Sequence, residues 1–203
     1  MVGPDIPFWQ RLFEQDTTPW DRGVPSPQLR TWLESATLQP CRILVPGCGR
    51  GHEVLLLAAS GFDVTAVDYA PAAVEHVKSR LLEAGLRARV FAADVRDWTP
   101  DTAFDAVYEQ TCLCALHPDD WTAYAAQLHR WLVPDGQLYA LFMQALKTGA
   151  AEGLIQGPPY HCDIHAMRAV FPASRWQWPA PPYPRVDHPS HIHEIAVTLA
   201  RKS

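Results

Sequence analysis

Three features of this 203-residue chain could do chemistry together: the turn Gly47-Cys48-Gly49-Arg50-Gly51, Asp68 and Asp94. Glycines in such a turn accept positive φ and let backbone amides approach a ligand closely. Asp68 follows Gly47 by 21 positions and closes the segment "FDVTAVD", where an acid can accept hydrogen bonds from ribose hydroxyls. Asp94, in "FAADVRDW", can accept from an adenine amino group, with the Val95 N–H beside it for a ring nitrogen. Each feature also has a plainer reading: tight packing for the glycines, a helix cap for Asp68, an ordinary loop aspartate for Asp94. Taken together they point to a nucleoside. The dinucleotide fingerprint spaces its glycines G-x-G-x-x-G around a pyrophosphate, whereas this chain reads G-x-G-x-G. That spacing favours S-adenosylmethionine, which has no phosphate; an NAD-linked oxidoreductase is the alternative.

The elements that must hold these residues can be read from periodicity. Two short helices come first, around Phe8–Glu14 and Pro27–Glu34, the second with Ser26 as cap and Pro27 at its first position. "CRILVPGCGRG" is an apolar run ending in the glycine turn, and "HEVLLLAAS" is the helix after it. "FDVTAVD", "ARVFAAD", "FDAVYE" and "GQLYALFM" read as strands. "PAAVEHVKSRLLEAG" and "DDWTAYAAQLHRWL" read as helices between them. Strand and helix alternating in this way predict an α/β fold, a mostly parallel sheet with helices on both faces. Past Met143 the alternation stops. Residues 144–162 read as a long loop and Asp163–Phe171 as a helix, and "SRWQW" and "HEIAVTLA" bring the strand count to seven. The stretch between those two, "PAPPYPRVDHPSH", carries too much proline for regular structure. No repeat or boundary divides residues 1–203, so one domain is expected.

Composition narrows the class. Hydrophobic residues make up 48% and charged residues 19%, a globular balance, and the net charge of −5 offers no basic surface for nucleic acid. No apolar run approaches the roughly 20 residues of a membrane span. The N-terminal stretch lacks the pattern of a signal peptide, so a cytoplasmic protein is expected. No surplus amphipathic helix or sheet-edge device stands out, so a monomer is expected. The five cysteines have no regular spacing and read as reduced thiols. His191 and His193 would share a face of a strand, near His188, but no acid or cysteine stands at ligand spacing beside them, so no metal is expected.

The segments "TPWDRGVPSP", "LVPGCGRGHEV", "VTAVD", "ADV", "FDAVYEQTCLCAL" and "GPPYHCD" occur in an order that resembles the thiol and halide methyltransferases. That group includes the plant thiocyanate/halide enzymes and belongs to the broader thiopurine methyltransferase family. The resemblance runs from about Phe8 to Asp163 and fades after Phe171. It implies a Rossmann-like class I methyltransferase fold, with residues 1–36 as a helical lid and 144–162 as a substrate loop. Carried over by motif, the cofactor residues would be Trp9, Trp20, Gly47, Gly49, Asp68, Asp94, Val95 and Glu109. Phe13 stands where a second helical tryptophan is common, and Met143 where a tyrosine is common. Both belong with Pro158, Pro159 and Tyr160 on the expected acceptor side.

The implied reaction transfers a methyl group to a small soft nucleophile such as a thiol, thiocyanate, bisulfide or halide. Anions of this kind need no proton removed, so a general base is optional. His161 and Asp163 are the candidates if one is used, although Asp163 equally suits a helix N-cap. Trp9 and Trp20 would either cover the sulfonium end of the cofactor or simply pack the first helix onto the sheet. An O- or N-methyltransferase of a small metabolite is the alternative within the same cofactor class.

Overall fold

In the computed structural model, residues 3–149, 154–188 and 192–203 are described. Residues 1–2 of the expected lid, residues 150–153 of the long loop, and His191 lie outside them. At the centre is β1 (Arg42–Pro46), whose Ile43, Leu44 and Val45 are all buried. An unbroken aliphatic run suits a strand covered on both faces. Around it β2 (Asp63–Asp68), β3 (Arg89–Ala92), β4 (Phe104–Gln110) and β5 (Leu132–Gln144) lie parallel, in the order β3-β2-β1-β4-β5. The chain thus builds outward from β1 in one direction and then restarts on its other side at β4. Such a reversal leaves a crevice at the carboxyl ends of the strands, where open α/β sheets bind ligands.

β6 (Trp176–Gln177), β7 (Arg185–His188) and β8 (Ile192–Arg201) complete a sheet of eight strands among the described residues. β8 runs antiparallel to β5, from Gln137 opposite Ala200 to Gln144 opposite His193, and β6 and β7 pair with its other edge. The strand beyond the seven expected is β7, inside the proline-rich stretch read as irregular. Its prolines, Pro179–Pro184 before the strand and Pro189 after it, leave Arg185–His188 uninterrupted, so the ladder with β8 forms.

Helices cover both faces. α2 (Pro27–Glu34), α3 (His52–Ala59) and α4 (Pro71–Glu83) enclose one core with Leu29, Leu57, Val77 and Tyr108. α5 (Trp121–Trp131) and α6 (Ile164–Val170) enclose the other with Tyr124, Leu128, Phe142 and Phe171. The Ser26 hydroxyl accepts from the Gln28 amide at 3.3 Å, the cap expected for α2. α1 (Ile6–Glu14) sits apart from the sheet, its Phe13 buried against Ala70 and Ala73 beside α4, with Trp9 and Trp20 on the same cluster. No described helix is long and apolar enough to cross a membrane.

Candidate active site

A cavity of about 830 Å³ opens where the strand order reverses, over the ends of β1, β2 and β4. Its floor is the glycine turn. Gly47, Gly49 and Gly51 have φ of +59°, +48° and +71°, a region that L side chains rarely adopt. Behind two of them there is no room either: a Cβ on Gly47 would lie 2.8 Å from the Cys112 Cβ, and one on Gly51 2.6 Å from a Val77 methyl. The Cys48 amide is spent on the Val67 carbonyl at 3.1 Å, which ties the turn to β2.

Asp68 ends β2 and shapes this floor. Its Oδ2 accepts from the Gly49 amide at 2.8 Å and its Oδ1 from the Ala70 amide at 2.9 Å. Burial pushes the carboxyl above its ordinary pKa, opposed by the Ala70 and Gly49 amides. A carboxylate has about four acceptor positions, so capacity remains for a hydroxyl in the cavity. Asp94 and Val95 line the same cavity beyond β3. The Arg96 guanidinium grips Asp94 through both oxygens, with Nε at 2.9 and 3.0 Å. Partial burial works to raise the Asp94 pKa, but the Arg96 side chain overrides it and holds the carboxylate below its ordinary value. Arg96 also reaches Asp120 at 3.3 Å and lies 5.9 Å from the Tyr69 ring centroid, so one guanidinium joins three sides of this end.

Opposite the floor stand the aromatic residues of the N-terminal segment. Trp9 and Trp20 meet edge to face at 5.5 Å, and Phe13 meets Trp20 at 6.1 Å. All three line the cavity. At the far end, Met143, Pro158, Pro159 and Tyr160 also face it. The Tyr160 amide donates to the Cys114 carbonyl at 2.7 Å and the Cys162 amide to the Met143 carbonyl at 2.8 Å. These bonds pin the end of the long loop against β5 and the turn after β4.

Three expected site residues are not brought to the cavity. Asp163 caps α6, accepting from the His165 amide at 2.8 Å and the Ala166 amide at 3.2 Å. His161 sits beside it, away from the cavity wall, its Nδ1 buried and without a hydrogen-bond partner among the described residues. Glu109 lies on the opposite face of β4 from Tyr108 and Gln110, which do line the cavity. Side chains alternate along a strand, so adjacent residues cannot all face the same way. Glu109 is fully buried, and its Oε1 accepts from the Leu113 amide at 2.6 Å, which anchors the turn after β4. β4 does not continue through Cys112 and Cys114. The chain turns at Thr111, with φ of +62°, and both thiols reach the cavity from the turn that follows. Burial pushes both thiols up, so they are neutral wall residues rather than nucleophiles.

Burial also raises the Glu109 carboxyl to about 7, with the Leu113 amide opposing and Glu194 adding to the rise. A carboxyl that holds its proton longer in the folded state lowers stability as pH rises from its unfolded value of about 4.5 to about 7. The loss is complete above that window and absent below it. Glu109→Gln is therefore expected to be more stable than the parent at pH 8.5, by about 3 kcal/mol in unfolding free energy. The gap should close at pH 4.5. Urea unfolding at both pH values checks this, and a gap independent of pH would contradict the assignment.

The sequence reading did not single out Arg22, His52, Gln110 and His117, which also line the cavity. The His117 ring meets Tyr160 at 5.4 Å. Alternation along "VYEQ" was a usable signal for Gln110; the other three carry no local signature.

The floor, the acids and the aromatic cover fit an adenosine joined to a cationic tail, and a glycine turn over a sheet of this order is that of class I S-adenosylmethionine-dependent methyltransferases. This chain is one of them, and S-adenosylmethionine is its cofactor. Residues 5–180 match the family described as Thiopurine S-methyltransferase (TPMT), and the chain belongs to that family. It is 29% identical over 166 residues to thiocyanate methyltransferase 1 of Arabidopsis thaliana, covering 80% of this chain and 70% of that one. The thiopurine S-methyltransferase of Gluconobacter oxydans is 28% identical over 181 residues, covering 81% and 79%. Among solved structures, the 1,6-didemethyltoxoflavin-N1-methyltransferase of Burkholderia thailandensis, with S-adenosylhomocysteine bound, superposes with a TM-score of 0.74 at 20% identity. That match covers 95% of this chain and 85% of the other.

Proposed function

We propose that this enzyme methylates a small soft nucleophile, a thiol, thiocyanate, bisulfide or halide, by in-line displacement. One observation carries the reading. The acceptor end of the cavity is built from Met143, Leu116, Cys114, Pro158, Pro159 and Tyr160, with no carboxylate among them, while His161 and Asp163 lie outside it. An acceptor that arrives as an anion needs no base there. The names of the relatives, thiocyanate methyltransferase 1 and probable thiol methyltransferase 2 in Arabidopsis thaliana, support the same chemistry.

S-adenosylmethionine supplies an activated methyl group on a sulfonium centre when bound. The glycine turn and Asp68 would hold its ribose and amino-acid portions, and Asp94 with Val95 its adenine. Trp9 and Trp20 would cover the sulfonium, an aromatic–cation attraction of about 0.5–2 kcal/mol. Residues 1–36 thus act as a lid and 144–162 as a substrate loop. Pro158, Pro159 and Tyr160 give the acceptor a rigid apolar wall, which excludes water and strips hydration from an anion. The chain's main task is alignment.

A second reading, methylation of an oxygen or nitrogen, needs a base. His117, beside Tyr160 on the cavity wall, is the residue that favours it. The test is turnover with bisulfide, thiocyanate, iodide and an aromatic thiol, read as S-adenosylhomocysteine formed. The expected result is release well above the no-acceptor control for at least one of them. Tight S-adenosylhomocysteine binding with no release for any would overturn the acceptor class.

A further inference from the structure

The loop that carries Trp20 between α1 and α2 is fastened at two adjacent residues that reach in opposite directions. Among the described residues, no backbone hydrogen bond ties residues 18–25 to the sheet; the Asp21 amide bonds only within the loop, to the Thr18 carbonyl at 2.9 Å. Side chains therefore set its position. Asp21 reaches toward α3: its Oδ1 accepts from the Gly23 amide at 2.7 Å and pairs with His52 Nε2 at 3.0 Å. The other ring nitrogen, His52 Nδ1, faces Arg80 Nη1 at 3.1 Å. A guanidinium can only donate, so Nδ1 accepts and the ring proton is held on Nε2, aimed at Asp21.

Arg22 reaches the other way, to the two antiparallel strands at the far side of the cavity. Its Nη1 donates to the Asp187 carbonyl in β7 at 2.7 Å, and its Nη2 to Glu194 Oε2 in β8 at 2.9 Å. Glu194 is fully buried. Its carboxylate also accepts from Gln110 Nε2 at 3.0 and 3.1 Å, and Gln110 Oε1 accepts from the Tyr108 hydroxyl at 2.7 Å. Trp20, Asp21, Arg22, His52, Tyr108 and Gln110 all line the cavity.

We infer that Asp21 and Arg22 form a two-ended strap that positions Trp20 over the cofactor, with Glu194 and Gln110 as the anchor of its β7–β8 end. The inference rests on the reading of Trp20 as the cofactor's cover. Arg22 is a positioning residue, since it acts through the tryptophan two places before it. The strap also explains a buried charge that stability alone does not need: an apolar pair of similar volume in place of a buried ion pair is often neutral or stabilising.

That last point supplies the test. Arg22→Met leaves Glu194 buried without its cation and should lower the unfolding midpoint. The double variant Arg22→Met/Glu194→Met removes both charges and should restore it. S-adenosylhomocysteine affinity by calorimetry, and the split between the cofactor KM and kcat, should not recover with it. We expect both variants to bind S-adenosylhomocysteine about tenfold more weakly or worse, with KM raised more than kcat is lowered, and Arg22→Lys to recover part of the loss. Where the single variant does not fold, the double variant and Arg22→Lys give the same comparison. A wild-type S-adenosylmethionine KM in a folded double variant, with that of Trp20→Ala raised, overturns the strap and leaves the cover reading standing. A wild-type S-adenosylmethionine KM in Trp20→Ala overturns the cover reading, and the strap with it.

Discussion

Asp68→Asn is expected to weaken S-adenosylhomocysteine binding by roughly 100-fold, and Asp68→Ala by more. The buried carboxylate accepts from two backbone amides at once, Gly49 on the glycine turn and Ala70 at the entry to α4. An asparagine has one acceptor oxygen in place of two. Its amide nitrogen must then face one of those N–H groups, donor against donor. Leaving a buried donor unmet costs about 1–3 kcal/mol, and losing a bond to a charged acceptor costs a similar amount. Both losses fall on the floor of the cavity, so affinity should suffer more than global stability. Titration calorimetry measures the first and far-UV circular dichroism with urea unfolding the second. An unchanged dissociation constant in a folded Asp68→Asn protein would remove Asp68 from the cofactor site and leave it as a turn anchor only.

The second large effect is expected at Gly47. Alanine there must adopt φ near +59° and place its Cβ 2.8 Å from the Cys112 Cβ and 2.9 Å from its Sγ. Neither neighbour yields easily, because Cys112 is buried in the turn after β4. The strain and the overpacking together should cost about 2–4 kcal/mol in unfolding free energy, with cofactor binding lost as the turn shifts. The close contact involves Cβ as well as Sγ, so Cys112→Ala should relieve little of it. Cys112→Gly should recover more. Equal rescue by the two would show that the sulfur alone causes the clash, and a Gly47→Ala protein as stable as its parent would contradict the geometry.

How legible all this is in the sequence depends on whether the signal is local. The alternation of strands and helices, the glycine turn, Asp68 and the Ser26 cap are properties of short segments, and each lies in the structure where its segment implies. The family shown by residues 5–180 is the one that the proline-tryptophan-aspartate and glycine-proline-proline-aromatic loops resemble. β7 is obscured because proline content is averaged over a stretch whose prolines flank the strand, Pro184 before it and Pro189 after it, without entering it. Glu109 is a different case. The motif carries an acid at that position, but strand alternation turns it away from the cavity and presents Tyr108 and Gln110 instead. Arg22 and Glu194 stand 172 positions apart, and nothing within either segment announces the other.

That separation sets an order of events during synthesis. The glycine turn, β2 and β4 can assemble as soon as the first two-thirds of the chain has left the ribosome. Arg22 must wait for β8, because contacts between distant residues form only after the intervening chain has been brought together. A nascent chain therefore has its cofactor floor well before it can fasten the loop that closes over it. Until β8 docks, Arg22 and the apolar inner wall face solvent, and that interval is when a chaperone would find the most to hold.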